Sequence, residues 1–223
     1  MTVQVAREGY VASLTISGSA AREPVLEALA AVEPAAVRAV LVNATASADL
    51  EDWTGSDGRW LWRDFPLPVV FAFEGALAGA LAALALSCDI RICGEAASLE
   101  LAAEIDSLTE ERLRTLLRLE PDRELPSAQR WAPAEALKRG LVSRVATEGE
   151  AGAAARALAE TIASRGPIAT HLAKEAVWRG LSQPLEQALR FETDLTLLLQ
   201  ATKDRAEGVR AFLEKRPPEF TGE

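Results

Sequence analysis

The chain has 223 residues, 49% of them apolar, and carries 33 acidic against 24 basic side chains for a net charge of −9. That is enough apolar material for one compact core. The acidic balance, with no basic run, argues against nucleic acid as a partner and still permits a small phosphorylated molecule held by helix-terminal amides.

Val3, Val5, Val11, Ser13, Thr15 and Ile16 around Gly9-Tyr10 predict an opening hairpin. Pro24 to Val32 carries Val25, Leu26, Leu29 and Val32 at helical spacing. Val37 to Val42 reads as a strand ending in a loop at Asn43-Ala44-Thr45, which gives an alternating α/β pattern. Asp52 to Asp64, with Trp53, Trp60 and Trp62, is expected to be a mobile loop running into a short helix. Val69 to Phe73 suits a strand covered on both faces, with Pro68 at its edge.

Gly75 and Gly79 follow as a turn, then Ala76 to Leu86 gives a helix that is apolar nearly all round and therefore buried. The first-turn amides of such a helix form an electropositive pocket. The run from Gly75 to Cys88, flanked by Glu74 and Asp89, is shorter than the roughly 20 residues of a membrane span, so no membrane segment is expected. Thr109 to Leu119, Pro133 to Arg139, Ala151 to Ser164, Ile168 to Gly180 and Pro184 to Thr202 read as helices, and Pro121 to Pro126 as a charged connector.

Met1 to Glu8 lacks the basic start and apolar run of a secretory leader. Cys88 and Cys93 have no metal-site spacing and are read as buried free thiols of a reducing cytoplasm. One histidine, His171, on an amphipathic helical pattern, is a poor basis for a nucleophilic triad, and with two thiols it makes no closed zinc site. Phosphate-loop and dinucleotide glycine patterns are absent from the sequence. Neither a metal nor a separate cofactor is expected.

Three stretches carry a family likeness. Pro68, Val69, Gly75, Gly79, Cys88, Asp89 and Arg91 stand in register with a P-V-hydrophobic-A-x-N-G-x-A-x-G-G-G pattern followed by an apolar helix and C-D-hydrophobic-R. Ala132 to Val145 and a tail with Asp204, Glu207-Gly208, Ala211-Phe212, Glu214-Lys215-Arg216, Pro218, Phe220 and Gly222 agree with the same source. The chain resembles the enoyl-CoA hydratase/isomerase (crotonase) superfamily.

The resemblance implies an α/β fold, a crotonase-like spiral of β-β-α units over residues 1–145, and a helical C-terminal trimerisation region over 146–223. It also implies a homotrimer, sometimes doubled to a hexamer, and an acyl-CoA thioester as partner, with coenzyme A entering as part of the substrate. Two backbone amides would face the thioester oxygen, which gains charge as an enolate forms. Ala48, in Ser47-Ala48-Asp49-Leu50, matches one donor, and Ala80, in Gly79-Ala80-Leu81, the other. Asp49, Leu50 and Gly79 beside them, and Lys215 in the tail, are the implied substrate contacts.

The two glutamates of the family's hydratases fall on Ala83 and Ala103, which move no proton. Glu104, among Glu100 and Asp106, is the only side chain expected to substitute, against the commoner solvated role of such acids. Two readings follow: an enzyme that stabilises a thioester enolate through backbone amides, or a catalytically silent acyl-CoA-binding or regulatory paralogue.

Overall fold

The computed structural model describes residues 2–101, 105–119, 122–125 and 128–223. Strands β1 (Thr2–Glu8) and β2 (Val11–Ser17) pair antiparallel across Gly9-Tyr10, as the alternation predicts. From β2 onward the chain repeats one unit: a long strand, a short strand, then a helix.

The long strands are β2, β4 (Ala39–Ala44), β6 (Val69–Phe73) and β8 (Ile90–Gly94). They pair parallel in that order, and β11 (Arg144–Ala146) closes the far edge of the sheet. The short strands pair among themselves: β3 (Ser19–Ala20) with β5 (Asp49–Leu50), and β7 (Ala76–Leu77) with β9 (Ser98–Glu100), which also takes β10 (Arg130–Trp131). Each unit ends in a helix, α1 (Arg22–Ala30), α2 (Gly55–Arg59), α3 (Gly79–Ser87) or α4 (Ser107–Leu117). This is the expected α/β spiral of β-β-α turns.

One face of the sheet carries the large core around Leu14, Val42, Phe71, Phe73, Leu84 and Leu99, all buried. The other face is covered by α6 (Ala151–Ala163), whose buried Ala151, Ala155, Ala159 and Ala163 recur every four residues. Methyl groups at that spacing let the helix lie close to Leu41, Val70 and Ile92. Glu74 fixes its start by accepting a hydrogen bond from the Ala151 amide at 2.9 Å. The order continues through α5 (Pro133–Lys138), α7 (Pro167–Gly180), α8 (Leu185–Gln200) and α9 (Lys203–Glu214).

The structure moves several expected boundaries. β4 runs on through Asn43 and Ala44, because parallel pairing with Ala72 and Phe73 continues past the apolar run. The apolar helix starts at Gly79, since Ala76-Leu77 is taken up as β7 by pairing with Ser98 and Leu99. Much of the segment expected as a loop is helical: Thr54 caps α2 in a reciprocal box with Asp57, and the helix widens into a π-turn at Trp60–Asp64.

The C-terminal end of α3 is held by two buried guanidiniums. Arg91 on β8 donates from Nη1 to the Cys88 carbonyl (2.6 Å) and from Nε to Leu141 O (2.5 Å). Arg112 on α4 donates from Nε to Leu86 O (3.0 Å) and from Nη2 to Cys88 O (3.2 Å). The Leu86 and Cys88 carbonyls are ones that a helix end leaves without partners, and cations there also complement the helix dipole. Burial and the neighbouring Arg112 lower the Arg91 guanidinium to about 10, still protonated at neutral pH. Asp89 accepts from the Val69 amide (2.8 Å) and pairs with the buried Lys174 ammonium (2.9 Å).

Replacing Arg91 by methionine strips the donors from Leu141 and part of those from Cys88. Unfolding in urea is expected to show a loss of roughly 3 kcal/mol, since each unsatisfied buried carbonyl costs about 1–3 kcal/mol.

Candidate active site

The apolar helix leads to the site. Gly75 (φ 70°) lies between β6 and β7 and Gly79 (φ 56°) opens α3, both in the left-handed region that side chains resist. Among the described residues no atom lies within 4 Å of where a Gly79 β-carbon would project, and Ala46 stands at ordinary contact from Gly75. Backbone conformation, and not tight packing, is therefore what these positions require.

Ala78 provides no side-chain cap. Among the described residues no acceptor meets the Ala80 N–H. Ala78 and Gly79 are exposed and Ala80 is half-buried, so this amide lies at the open end of a helix whose other end is sealed. Ala80 itself does not need left-handed backbone.

The second segment lies beside the first. β5 packs against α3, and Ala46 approaches Gly75. The turn is tight: the Ala48 amide donates to the Thr45 carbonyl at 2.9 Å, and the Asp49 amide to Gly18 O at 3.0 Å. One of the two sequence-derived donors is thus engaged within the chain, while the amides of exposed Ala46 and Ser47 have no acceptor among the described residues. Asp49 is exposed and turns its Oδ1 back to accept from the Leu50 amide (2.9 Å), and Leu50 is buried beside the core.

The acidic side chains near the next strand have structural partners. Glu100 pairs with Arg130 at 2.9 Å. Asp106 caps α4, accepting from the Leu108 and Thr109 amides and the Thr109 hydroxyl. Partial burial pushes its carboxyl up, but those hydrogen bonds outweigh it and hold the group below its ordinary value. Ala103 and Glu104 lie outside the described residues. Ala83 is half-buried on α3, one turn beyond Ala80.

The tail motif divides into a clamp and a free charge. Arg216 grips Glu207 through Nη1 (2.6 Å) and Nη2 (3.0 Å), which, with the Glu219 amide, holds the Glu207 carboxyl down to about 2. Buried Asp204 accepts from the amides of Thr221 and Gly222 at 2.7 and 3.0 Å. The tail then returns to the spiral, where Arg38 donates to Phe220 O (2.6 Å). Lys215 ends α9 in left-handed backbone, exposed, and its ammonium has no partner among the described residues.

Three residues that shape the site were not singled out from sequence: Arg112, Lys174 and Gly58. Gly58 allows α2 to meet α3, since a β-carbon there would stand 2.5 Å from Ser87 Oγ. Only the Gly-Arg step of α2 hints at it.

Comparison with known proteins decides the family. The enoyl-CoA hydratase/isomerase family model matches residues 41–223. The chain belongs to the enoyl-CoA hydratase/isomerase family.

A probable mitochondrial enoyl-CoA hydratase 2 of Arabidopsis thaliana is 37% identical over 162 residues, 70% of this chain and 54% of that protein. The (E)-benzylidenesuccinyl-CoA hydratase of Thauera aromatica is 34% identical over 168 residues, 70% of this chain and 63% of its own. The chain thus spans between about half and two thirds of the length of these curated relatives. The crystal structure of an enoyl-CoA hydratase from Bacillus anthracis superposes with a TM-score of 0.87 at 28% identity, covering 100% of both chains. The spiral seen here is therefore that of the enoyl-CoA hydratase/isomerase family.

Both thiols of this family member are buried. Burial, then the negative charge of Asp89, raises Cys88 to about 12, and burial, then Glu74, raises Cys93 to about 11. Protonated thiols are poor nucleophiles, so at pH 8 the folded protein is expected to leave an aromatic disulfide reagent unreacted until denaturant is added, when two thiols titrate.

Proposed function

We propose that this protein binds an acyl-CoA thioester at the open end of α3, polarises its carbonyl through the amides of Ala80 and Ala48, and is an enzyme of the hydratase/isomerase type. The observation that carries the reading is the Ala80 N–H, which meets no acceptor among the described residues, at an exposed helix start with β5 alongside. Aligned amides and the helix dipole favour a developing negative charge there.

The Thr45 carbonyl competes for the Ala48 N–H. A charged oxygen forms a hydrogen bond roughly twice as strong as a neutral carbonyl does, so Ala48 contributes as the enolate forms by sharing its proton between the two acceptors. Such a donor favours the transition state over the ground state, which is what accelerates a reaction. Asp49, Leu50 and Gly79 border the thioester on this reading. Lys215, unpaired, offers its ammonium to a phosphate of the coenzyme A portion.

A second reading is favoured by Ala83. Hydration needs groups to activate water and to protonate carbon, and a methyl group stands where the hydratases of this family keep a carboxylate. A silent acyl-CoA binder would use the same amides without turnover.

The test uses enoyl-, 3-hydroxyacyl- and malonyl-type CoA esters, with melting temperature and product followed separately. Stabilisation with turnover supports the enzyme, stabilisation alone the silent binder, and no stabilisation by any ester refutes both. Ala80→Pro removes the N–H at a first-turn position where proline fits, and is expected to cost about 10²–10³ in turnover.

The helices α7 to α9 expose Val177, Leu185, Leu197, Leu198, Phe212 and Leu213, the last two at 82% and 74%. Large apolar side chains in such number support a trimer that covers them. Sedimentation should show a trimer that dissociates in the double variant Phe212→Glu, Leu213→Glu.

A further inference from the structure

Ala80, Ala83 and Ser87 fall at i, i+3 and i+7 of α3 and share one helix face. Ala80 and Ala83 are half-buried and Ser87 is buried, so the face closes with distance from the helix start. The methyl group of Ala83 leaves it apolar in the middle.

Trp53 meets this face where it closes. It arrives three residues after β5 and is 6% exposed. Its Nε1 lies 3.5 Å from the point that a Gly58 β-carbon would occupy, and Ser87 Oγ lies 2.5 Å from the same point. The Ser87 hydroxyl donates to Ala83 O at 2.7 Å. The indole N–H of Trp53 has no acceptor among the described residues. A dry, unpaired donor costs free energy that phenylalanine at the same place would avoid.

We infer that the Trp53 indole N–H donates to an oxygen carried on the distal part of the acyl chain, so that the protein selects oxygenated acyl-CoA thioesters. The inference rests on the thioester reading of α3. Ser87 lies seven residues beyond Ala80, about 10 Å along the axis at about 1.5 Å per residue. An acyl chain anchored by its carbonyl at Ala80 and laid along the Ala83 methyl brings its far half, and not its second or third carbon, to Trp53. A single neutral donor, beside a Ser87 hydroxyl whose proton is committed to Ala83 O, suits a hydroxyl or oxo group. A carboxylate there would need a charged partner.

The experiment compares octanoyl-CoA with 7-oxooctanoyl-CoA and 8-hydroxyoctanoyl-CoA by calorimetric titration of the full chain. At least one oxygenated ester is expected to bind about tenfold tighter than octanoyl-CoA. Trp53→Phe should bring that ratio close to one, with octanoyl-CoA titrated against the same variant as the reference. In the wild-type protein labelled with nitrogen-15 at its indoles, the Trp53 N–H proton should move downfield with the oxygenated ester and not with octanoyl-CoA. That signal decides the matter should Trp53→Phe fail to fold.

Equal affinities in the wild type, a preference that survives Trp53→Phe, or an indole signal indifferent to the oxygen would overturn the inference while leaving the thioester reading standing. Failure of every ester to bind would overturn the thioester reading, and this inference with it.

Discussion

The structure depends on how the two ends of one buried helix are treated. α3 is apolar on all sides and buries Leu81, Ala82, Leu84, Ala85 and Leu86, but side-chain packing does nothing for its backbone ends. At one end Arg91 and Arg112 supply donors to Leu86 and Cys88, deep in the protein. At the other, Gly79 turns the chain in left-handed backbone and the Ala80 amide is left without an acceptor among the described residues. Burying two guanidiniums is expensive unless their hydrogen bonds are met. Here the helix carbonyls meet them, and the helix is thereby fixed against β8 and α4 with its open end facing outward.

Much of this was legible in the sequence, for a physical reason. A strand buried on both faces and a helix buried all round both leave long apolar runs, so Val69 to Phe73 and the body of α3 could be placed from composition alone. The motif Cys88-Asp89-Ile90-Arg91 marked the helix end, and the structure supplies the mechanism: Asp89 ties β6 and Lys174 together while Arg91 seals the carbonyls. What was not legible is long-range. Arg112 and Lys174 look like ordinary charges on amphipathic helices, and only the fold carries them 24 and 85 residues back to the same corner. Likewise, that Ala76-Leu77 would pair with Ser98-Leu99 depends on a partner 22 residues away, which local periodicity does not reveal.

Candidate positions could be named from the sequence, but the bonds around them could not. Sequence placed Ala48 and Ala80 beside one another in function, and β5 does pack on α3. It did not show that the Ala48 amide closes a turn on Thr45. It singled out Lys215 in the tail but did not show that the neighbouring Arg216 is spent on Glu207, while the Lys215 ammonium has no partner among the described residues. The acids beside the position of Ala103 were ambiguous from sequence. Glu100 and Asp106 proved to be an ion pair and a helix cap, the commoner fates of such residues.

The central claim is that a main-chain amide at the start of α3 draws electron density from a thioester carbonyl. Isotope-edited infrared spectroscopy of an acyl-CoA thioester labelled with carbon-13 at its carbonyl reads that polarisation directly. A C=O stretch that moves to lower frequency when the ester binds is the predicted result. An ester that binds with its carbonyl frequency unchanged from water would contradict the account.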